Sequence, residues 1–168
     1  MDESAFEAFY ERTKQSLRLY VVKMMRDDAL ADDIFQDAYM RFLQSSVEHK
    51  DELQMKSYLY RIATNLMHDH WRKTKREQTW IGSEAELKQA GGKGNTIELR
   101  LDLNEAFHRL SYQQRSLLWL AYAEDYEHKE IAKMLRLRDK SVRVLLFRAK
   151  QKLIEVCRHM GITLENIS

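Results

Sequence analysis

The chain has 168 residues, 44% hydrophobic and 32% charged, with a net charge of only +2. No apolar run approaches the roughly 18 residues of a membrane span, and the N-terminus lacks the basic and apolar regions of a signal peptide. The single cysteine, Cys157, excludes an internal disulfide. We therefore expect a cytoplasmic protein without membrane insertion, built as one ordinary domain or two small ones.

Helix breakers are scarce in this sequence. Proline is absent and only five glycines occur, three of them at Gly91, Gly92 and Gly94. Because proline and glycine are the residues that most disfavour helix interiors, the sequence predicts an all-α protein. The glycine cluster marks a flexible linker between two small helical domains.

The N-terminal half predicts three amphipathic helices. A first helix over residues 4–26 starts at a capping box of Ser4 and Glu7, and a second helix covers residues 28–46. A polar loop over residues 47–56 precedes a third helix that begins at Ser57, a good N-cap. The predicted units are a domain of residues 1–78, a linker of 79–98, a domain of 99–158 and a tail of 159–168.

The second domain predicts four helices, and its last two have the spacing of a helix-turn-helix. Ser111 and Gln114 form a capping box, and helices over residues 127–135 and 139–158 are separated by only three or four residues. The last helix buries an apolar stripe and exposes a basic face. On that face lie Lys140, Ser141, Arg143, Val144, Phe147, Arg148 and Lys150.

Basic side chains on such a face neutralise phosphates, and residues near the helix start reach base edges in the major groove of duplex DNA. An ordinary helical hairpin with a basic exposed side is the plainer alternative.

The third helix combines aromatic rings, amides and cations in a pattern that suits single-stranded DNA. Bases stack on the rings while phosphates meet the charges, although some of these aromatic residues must instead belong to the core. The candidates on or beside this helix are Tyr58, Tyr60, Asn65, His70 and Trp71, followed by Arg72, Lys73, Lys75 and Arg76.

Three segments resemble a known family. The sequences DIFQDAYMRF at 33–42, SYLYRIATNL at 57–66 and LSYQQR at 110–115, together with the helix-turn-helix, are similar to bacterial RNA polymerase sigma factors. Two such regions joined by a short linker resemble the extracytoplasmic-function type. The resemblance implies a protein that directs the polymerase core to promoters and favours open-complex formation.

The resemblance also implies residue roles. The acidic second helix would bind a coiled coil of the largest polymerase subunit through Asp33, Gln36, Asp37 and Met40. The loop at 48–56 would hold a flipped base of the minus-ten element, which is also contacted by Tyr58, Arg61, Asn65, Trp71, Arg72 and Lys73. The exposed face of the last helix would read the minus-thirty-five element. The implied partners are RNA polymerase core, promoter DNA as duplex and single strand, and an anti-sigma factor.

The sequence departs from the family pattern in and after the turn. Arg136 stands where the family often has glycine, and Asp139 replaces a common serine cap. Val144 and Leu145 replace frequent serine and arginine, and an exposed Leu145 could face another protein.

Three other functions are alternatives to that of a sigma factor. A sigma-like mimic that sequesters an anti-sigma factor has a similar helix plan, and a helix-turn-helix regulator would leave the acidic helix unexplained. A helical enzyme could use Asp32, Asp33 and Asp37 as metal ligands, but no Glu-x-x-His set accompanies them. We therefore expect no catalytic residue, no metal and no cofactor.

Overall fold

The computed structural model describes residues 1–46, 51–81 and 96–162, with side chains described except at 76–81 and 96–101. These ranges contain seven α-helices, a π-helical segment (Trp119–Ala123) after α5, and no strand, which confirms the all-α prediction. The helices are α1 (Glu3–Met25), α2 (Asp28–Gln44), α3 (Glu52–Ile81), α4 (Thr96–His108), α5 (Tyr112–Leu118), α6 (His128–Leu135) and α7 (Asp139–His159). No helix in the described ranges has the length and apolar character needed to cross a bilayer.

Aspartates cap the first two helices. Asp2 accepts a hydrogen bond from the Ala5 amide at 2.7 Å, so Ser4 lies inside α1 and the predicted capping box at Ser4 is wrong. Asp27 caps α2 by accepting from the Leu30 amide at 3.1 Å. Because a short acidic side chain satisfies amides that the first turn leaves unpaired, these two residues fix where each helix starts.

Helix α3 begins earlier than the sequence suggested. The Gln54 amide donates to Asp51 Oδ1 at 2.8 Å and the Asp51 amide donates to Gln54 Oε1 at 3.3 Å, a reciprocal cap that starts the helix at Glu52. Residues 52–56 are therefore helical rather than part of a loop, while 47–50 lie outside the described residues. Helix α3 also extends to Ile81, beyond the expected domain boundary at residue 78.

Helices α1, α2 and α3 pack around an apolar core. Phe9 stacks on Phe42 with 5.0 Å between ring centroids, and the hydroxyls of Thr13 and Tyr39 lie 2.7 Å apart in the interior. Burial raises the pKa of the Tyr39 phenol to about 12. Since burying one large apolar side chain contributes about 1.5–3 kcal/mol, this core holds the three helices together.

The helix-turn-helix forms as predicted from α6 and α7. Ser111 and Gln114 make both hydrogen bonds of the capping box at the start of α5. The predicted inner stripe of α7 is Val142, Leu146, Ala149 and Leu153. Val142 and Ala149 are fully buried and Leu146 is nearly so, which confirms these three, whereas Leu153 is half-buried. The turn of residues 136–138 sets α7 against α6 and exposes its opposite face.

The sequence left the relative arrangement of the two regions open, and the structure supplies it: α3 packs against α6, and α1 against α5. The buried Tyr60 hydroxyl donates to Glu124 Oε1 at 2.9 Å and lies 3.0 Å from Ser16 Oγ. The Arg115 guanidinium donates to the carbonyl oxygen of Leu110 at 2.7 Å and to that of Met24 at 3.3 Å. Polar groups buried between the regions therefore hold them in one arrangement.

Arg136 ends α6 in the left-handed region with φ 55°, a conformation that costs a side-chain-bearing residue roughly 1–2 kcal/mol. We expect Arg136→Gly to raise the free energy of unfolding by about 0.5–1 kcal/mol. Glycine adopts this φ without a Cβ clash, which removes the strain. Part of the gain is lost because glycine makes the unfolded chain more flexible, so that folding costs more conformational entropy. Urea unfolding measures the change.

Arg138→Gly is the matched control, because Arg138 has an ordinary extended conformation at φ −75°. It should give no gain in stability. Equal effects of the two glycines would mean that the backbone conformation of Arg136 carries no strain.

Candidate nucleic-acid and protein interfaces

One side of α2 exposes the residues predicted to bind the polymerase. Asp33, Gln36 and Met40 are exposed and Asp37 is half-buried, whereas Ile34, Ala38 and Phe42 on the other side enter the core. Asp33, Gln36, Asp37 and Met40 are separated by steps of three and four residues, which place them on one face because an α-helix has 3.6 residues per turn. We call these four residues the acidic α2 face.

Leu43 adds an apolar element to this surface that the sequence reading missed. Hydrophobicity alone would predict that Leu43 joins the apolar stripe of α2, yet it is 52% exposed, three residues after the 59% exposed Met40. The spacing of the residues predicts this exposure, because Leu43 follows Gln36 by seven residues and Met40 by three. Both steps return to the same face of an α-helix. A partner of this surface therefore meets both carboxylates and apolar groups.

Four of the six predicted single-strand contacts share one side of α3. Tyr58, Arg61, Asn65 and Arg72 follow steps of three, four and seven residues, with Arg61 and Arg72 exposed and the other two half-buried. Tyr58 and Arg61 also line a groove of about 460 Å³ between α3 and α6. Carboxylates of Glu127 and Glu130 lie on the opposite wall of this groove.

The other two predicted contacts lie elsewhere on α3. Trp71 is half-buried and stacks on Tyr112 of α5 with 5.8 Å between ring centroids, while Lys73 is exposed on another side of the helix. The Tyr112 hydroxyl donates to the Thr64 carbonyl oxygen at 3.2 Å, which fixes this stack. Asn65 lines a small cavity whose other wall comes from α5 and α6. The C-terminal helices therefore cover part of the predicted single-strand surface.

Tyr60, which the sequence placed among possible base-stacking residues, is fully buried. It belongs to the core between the two regions. Its ring packs on Tyr20 and Tyr126 with centroid distances of 5.4 Å and 5.6 Å.

The outer side of α7 is cationic and open to solvent. Lys140, Arg143, Arg148 and Lys150 are exposed, and Ser141 is half-buried. Within the described ranges, no carboxylate lies within 4.0 Å of the charged groups of Lys140, Arg143 or Arg148. The Lys150 ammonium instead lies 4.6 Å from the centroid of the Tyr122 ring, a contact the sequence did not indicate. Positive charge is thus available to phosphates.

Two apolar side chains, Val144 and Phe147, stand exposed among these cations, at 50% and 62%. Leu145 is half-buried and packs on the core, so it is less available to another protein than the sequence suggested. At the start of the helix, Arg138 occupies the N-cap position without a side-chain hydrogen bond, and Asp139 is the first helical residue rather than the cap. Its charge still favours the N-terminal end of the helix dipole.

Between the regions, one histidine lies among cations. Partial burial, followed by the charges of Arg26, Arg115 and Lys23, lowers the pKa of His108 to about 4. The neutral imidazole is therefore the form that the folded protein holds, and its protonation works against the packing of α1 on the C-terminal helices.

Comparison with known families identifies both halves of this arrangement. Residues 9–77 match the family model Sigma-70 region 2, and residues 100–153 match Sigma-70, region 4. The two matches together cover more than two thirds of the chain. The chain belongs to the sigma-70 family. The two regions found in this sigma factor are those that the sequence resemblance implied.

Curated relatives of this sigma factor include a sigma factor of the extracytoplasmic-function (ECF) type. It is 25% identical over 151 residues to ECF RNA polymerase sigma factor SigM of Bacillus subtilis, a match that covers 88% of this chain and 91% of the relative. It is 23% identical to RNA polymerase sigma factor CarQ of Myxococcus xanthus, over 92% of this chain and 90% of the relative.

Two solved structures share its fold. The sigma factor RpoE of Bartonella quintana, solved in complex with the anti-sigma factor NepR, matches with a TM-score of 0.71 at 21% identity. That match covers 92% of this chain and 97% of RpoE. CnrH, solved with the cytosolic domain of CnrY, matches with a TM-score of 0.67 at 19% identity, over 94% of this chain and 90% of CnrH.

The low pKa of His108 makes stability depend on pH in a defined direction. Its folded value of about 4 lies below the ordinary value near 6.5, so the unfolded chain binds more protons between these pH values. Stability should therefore fall as the pH drops through this window. We expect His108→Gln to reduce the slope of the free energy of unfolding against pH. The reduction should be less than about 1.4 kcal/mol per pH unit, which is the largest slope that one titrating group can contribute.

Chemical unfolding between pH 4 and pH 7 measures the slope. His128→Gln is the control, because His128 is exposed on α6. It should leave the slope unchanged. A His108→Gln slope equal to that of the unsubstituted protein would contradict the assignment of this histidine.

Proposed function

We infer that this sigma factor directs RNA polymerase core to promoters and favours DNA opening there, acting by binding rather than by chemistry of its own. The observation that carries the inference is that one chain holds both sigma regions, and each exposes one predicted binding surface, the acidic α2 face in the first and the cationic face of α7 in the second. The acidic α2 face and the cationic face of α7 lie on separate helices and suit different partners.

The acidic α2 face is proposed to bind a basic coiled coil of the polymerase's largest subunit. Asp33 and Gln36 are exposed, and Asp37 makes a 3.4 Å ion pair with Arg41 on the same exposed side. An exposed ion pair contributes at most about 1 kcal/mol, so it does not prevent Asp37 from exchanging partners. Met40 and Leu43 would supply apolar contact beside these charges.

Helix α3 is proposed to capture unpaired bases of the opened minus-ten strand. Arg61, Arg72 and Lys73 are exposed cations for the phosphates, and Tyr58, Asn65 and Trp71 offer rings and an amide to the bases. Stacking of a base on an aromatic ring contributes about 1–3 kcal/mol. Binding of the separated strand stabilises the melted state relative to the duplex and so favours opening.

Helix α7 is proposed to lie in the major groove at the minus-thirty-five element. Lys140, Arg143, Arg148 and Lys150 meet phosphates on both sides of the helix, and Ser141 lies in the first turn, where side chains reach bases. Charge of this kind releases counterions from DNA and makes the affinity fall steeply with salt.

Simultaneous binding of both elements requires the two regions to separate. Elements about 25 base pairs apart are separated by roughly 85 Å along the duplex. A compact chain of this length is about 40 Å across. The packing of α3 on α6 must therefore open in the promoter complex, which also uncovers Trp71 and Asn65.

An anti-sigma factor is a further proposed partner, in a cytoplasmic setting. The support is that two structurally similar proteins were solved in complexes: the sigma factor RpoE with the anti-sigma factor NepR, and CnrH with the cytosolic domain of CnrY. A partner that favours the packed arrangement would keep part of the single-strand surface covered.

Transcription with purified core polymerase tests the function directly. The chain and core are incubated with DNA from upstream of the chain's own gene, and transcript start sites are mapped. Initiation at one specific site is expected. Duplex binding without polymerase would instead indicate a regulator, and binding of an anti-sigma factor alone would indicate a mimic.

Charge reversal on the acidic α2 face separates docking from DNA binding. Asp33→Lys with Asp37→Lys should weaken core binding at least tenfold, because like charges would then face the basic coiled coil. Binding of duplex DNA by α7 should persist. Core affinity is measured by fluorescence anisotropy of the labelled chain.

The control reverses two exposed carboxylates on another helix, Glu3→Lys with Glu7→Lys, which makes the same change in net charge. It should keep core affinity near that of the unsubstituted protein. If the α2 variant binds core as well as this control does, the docking surface lies elsewhere.

A further inference from the structure

The side of α7 that faces away from the core has an apolar centre. Val142, Leu146 and Ala149 define the buried side, and at 100° per residue Val144 and Phe147 fall nearly opposite to it. Both side chains are at least half exposed. The ridge of the helix that would enter a groove first therefore carries two adjacent apolar groups.

Cations flank this ridge on both sides. By the same helical geometry, Arg143 lies about 70° to one side of the ridge and Arg148 about 70° to the other. Lys140 and Gln151 stand on the ridge itself, before and after the apolar pair, and all four side chains are exposed. A helix with this cross-section fits a groove with negative walls and an apolar feature on its floor.

The major groove of DNA has this character. It is about 12 Å wide and is bordered by phosphates, and the one apolar group on its floor is the 5-methyl group of thymine. Valine and phenylalanine side chains carry no hydrogen-bonding groups, so the polar edges of guanine, adenine and cytosine offer them nothing. The cations on both flanks, which make no ion pair within the described ranges, favour duplex DNA, because phosphates border its major groove on both sides.

We propose that Val144 and Phe147 bind thymine methyl groups and so determine the sequence of the upstream element that this sigma factor reads. The proposal rests on the proposed function, in which α7 binds duplex DNA. Three residues of helix rise about 4.5 Å, close to the roughly 3.4 Å between base pairs. The two side chains therefore reach thymines at the same or neighbouring base pairs, while Arg143 and Arg148 hold the phosphates.

Replacement of thymine by uracil removes only the methyl group and tests this contact. Holoenzyme made with core polymerase first selects binding sequences from a promoter library whose upstream element is randomised. In the selected element, each thymine is then replaced singly by uracil. At one or two positions we expect affinity to fall about fourfold, the effect of one methyl group left unburied.

Variants assign each methyl group to a side chain. Val144→Ala and Phe147→Ala should each abolish the difference between thymine and uracil at one position, which is the coupling that a double-mutant cycle measures. Both residues are exposed, so the fold should be retained, as thermal unfolding can verify. Arg148→Ala is the control, and it should weaken binding to the thymine and uracil duplexes equally while reducing the salt dependence.

Three results would overturn the proposal: selected elements without thymine, equal affinity for all uracil duplexes, or a uracil effect that persists in both alanine variants. If specific initiation is retained in these cases, the proposed function stands and the apolar ridge serves another partner. If the holoenzyme selects no sequence at all, the proposed function and this inference both fail.

Discussion

The hydrogen bond between Tyr60 and Glu124 lies at the centre of the packing between the two sigma regions. The Glu124 side chain is only 8% exposed, and its partners are the Tyr60 hydroxyl at 2.9 Å and the Lys56 ammonium at 3.7 Å. A carboxylate removed from water is costly unless such partners accompany it. Since Tyr60 and Lys56 belong to α3 and Glu124 follows the π-helical segment, burial of this one acid requires both regions to stay together. Removal of either partner would leave a buried polar group unsatisfied, at a cost of about 1–3 kcal/mol.

This packing gives the binding surfaces different accessibilities. The acidic α2 face and the cationic face of α7 remain open, whereas Trp71 and part of Asn65 on α3 are covered by α5 and α6. On this proposal, the packed protein can bind polymerase or duplex DNA without rearrangement. It exposes its full single-strand surface only after the regions separate. Only molecules whose regions have separated expose the full single-strand surface, and the apparent affinity for the single strand is reduced to the fraction that they represent. On this proposal, stronger packing between the regions makes promoter DNA harder to open.

Local sequence signals predicted the helices well, and tertiary contacts account for what they missed. The capping box at Ser111 and the stripe of α7 follow from spacing alone. The polar segment before Ser57 favours a helix start at that residue, although Asp51 and Gln54 form a reciprocal cap that starts α3 at Glu52. Helical periodicity marks Tyr60 as inward-facing but does not show which helix covers it. The exposure of Val144 and Phe147 also follows from spacing, because both lie on the side of α7 opposite the buried stripe.

The distance between the two sigma regions distinguishes the packed form of the protein from the open form that promoter binding requires. Spin labels at Ala8→Cys and Arg158→Cys, both exposed positions, are introduced with the single native thiol removed by Cys157→Ala. Pulsed electron resonance then measures their separation in the free protein and in the complex with core polymerase and promoter DNA. In the free protein we expect a distance within the roughly 40 Å of a compact chain. In the promoter complex we expect it to increase beyond roughly 60 Å, as the span between the elements requires. An unchanged distance in an active promoter complex would show that the regions bind DNA without separating.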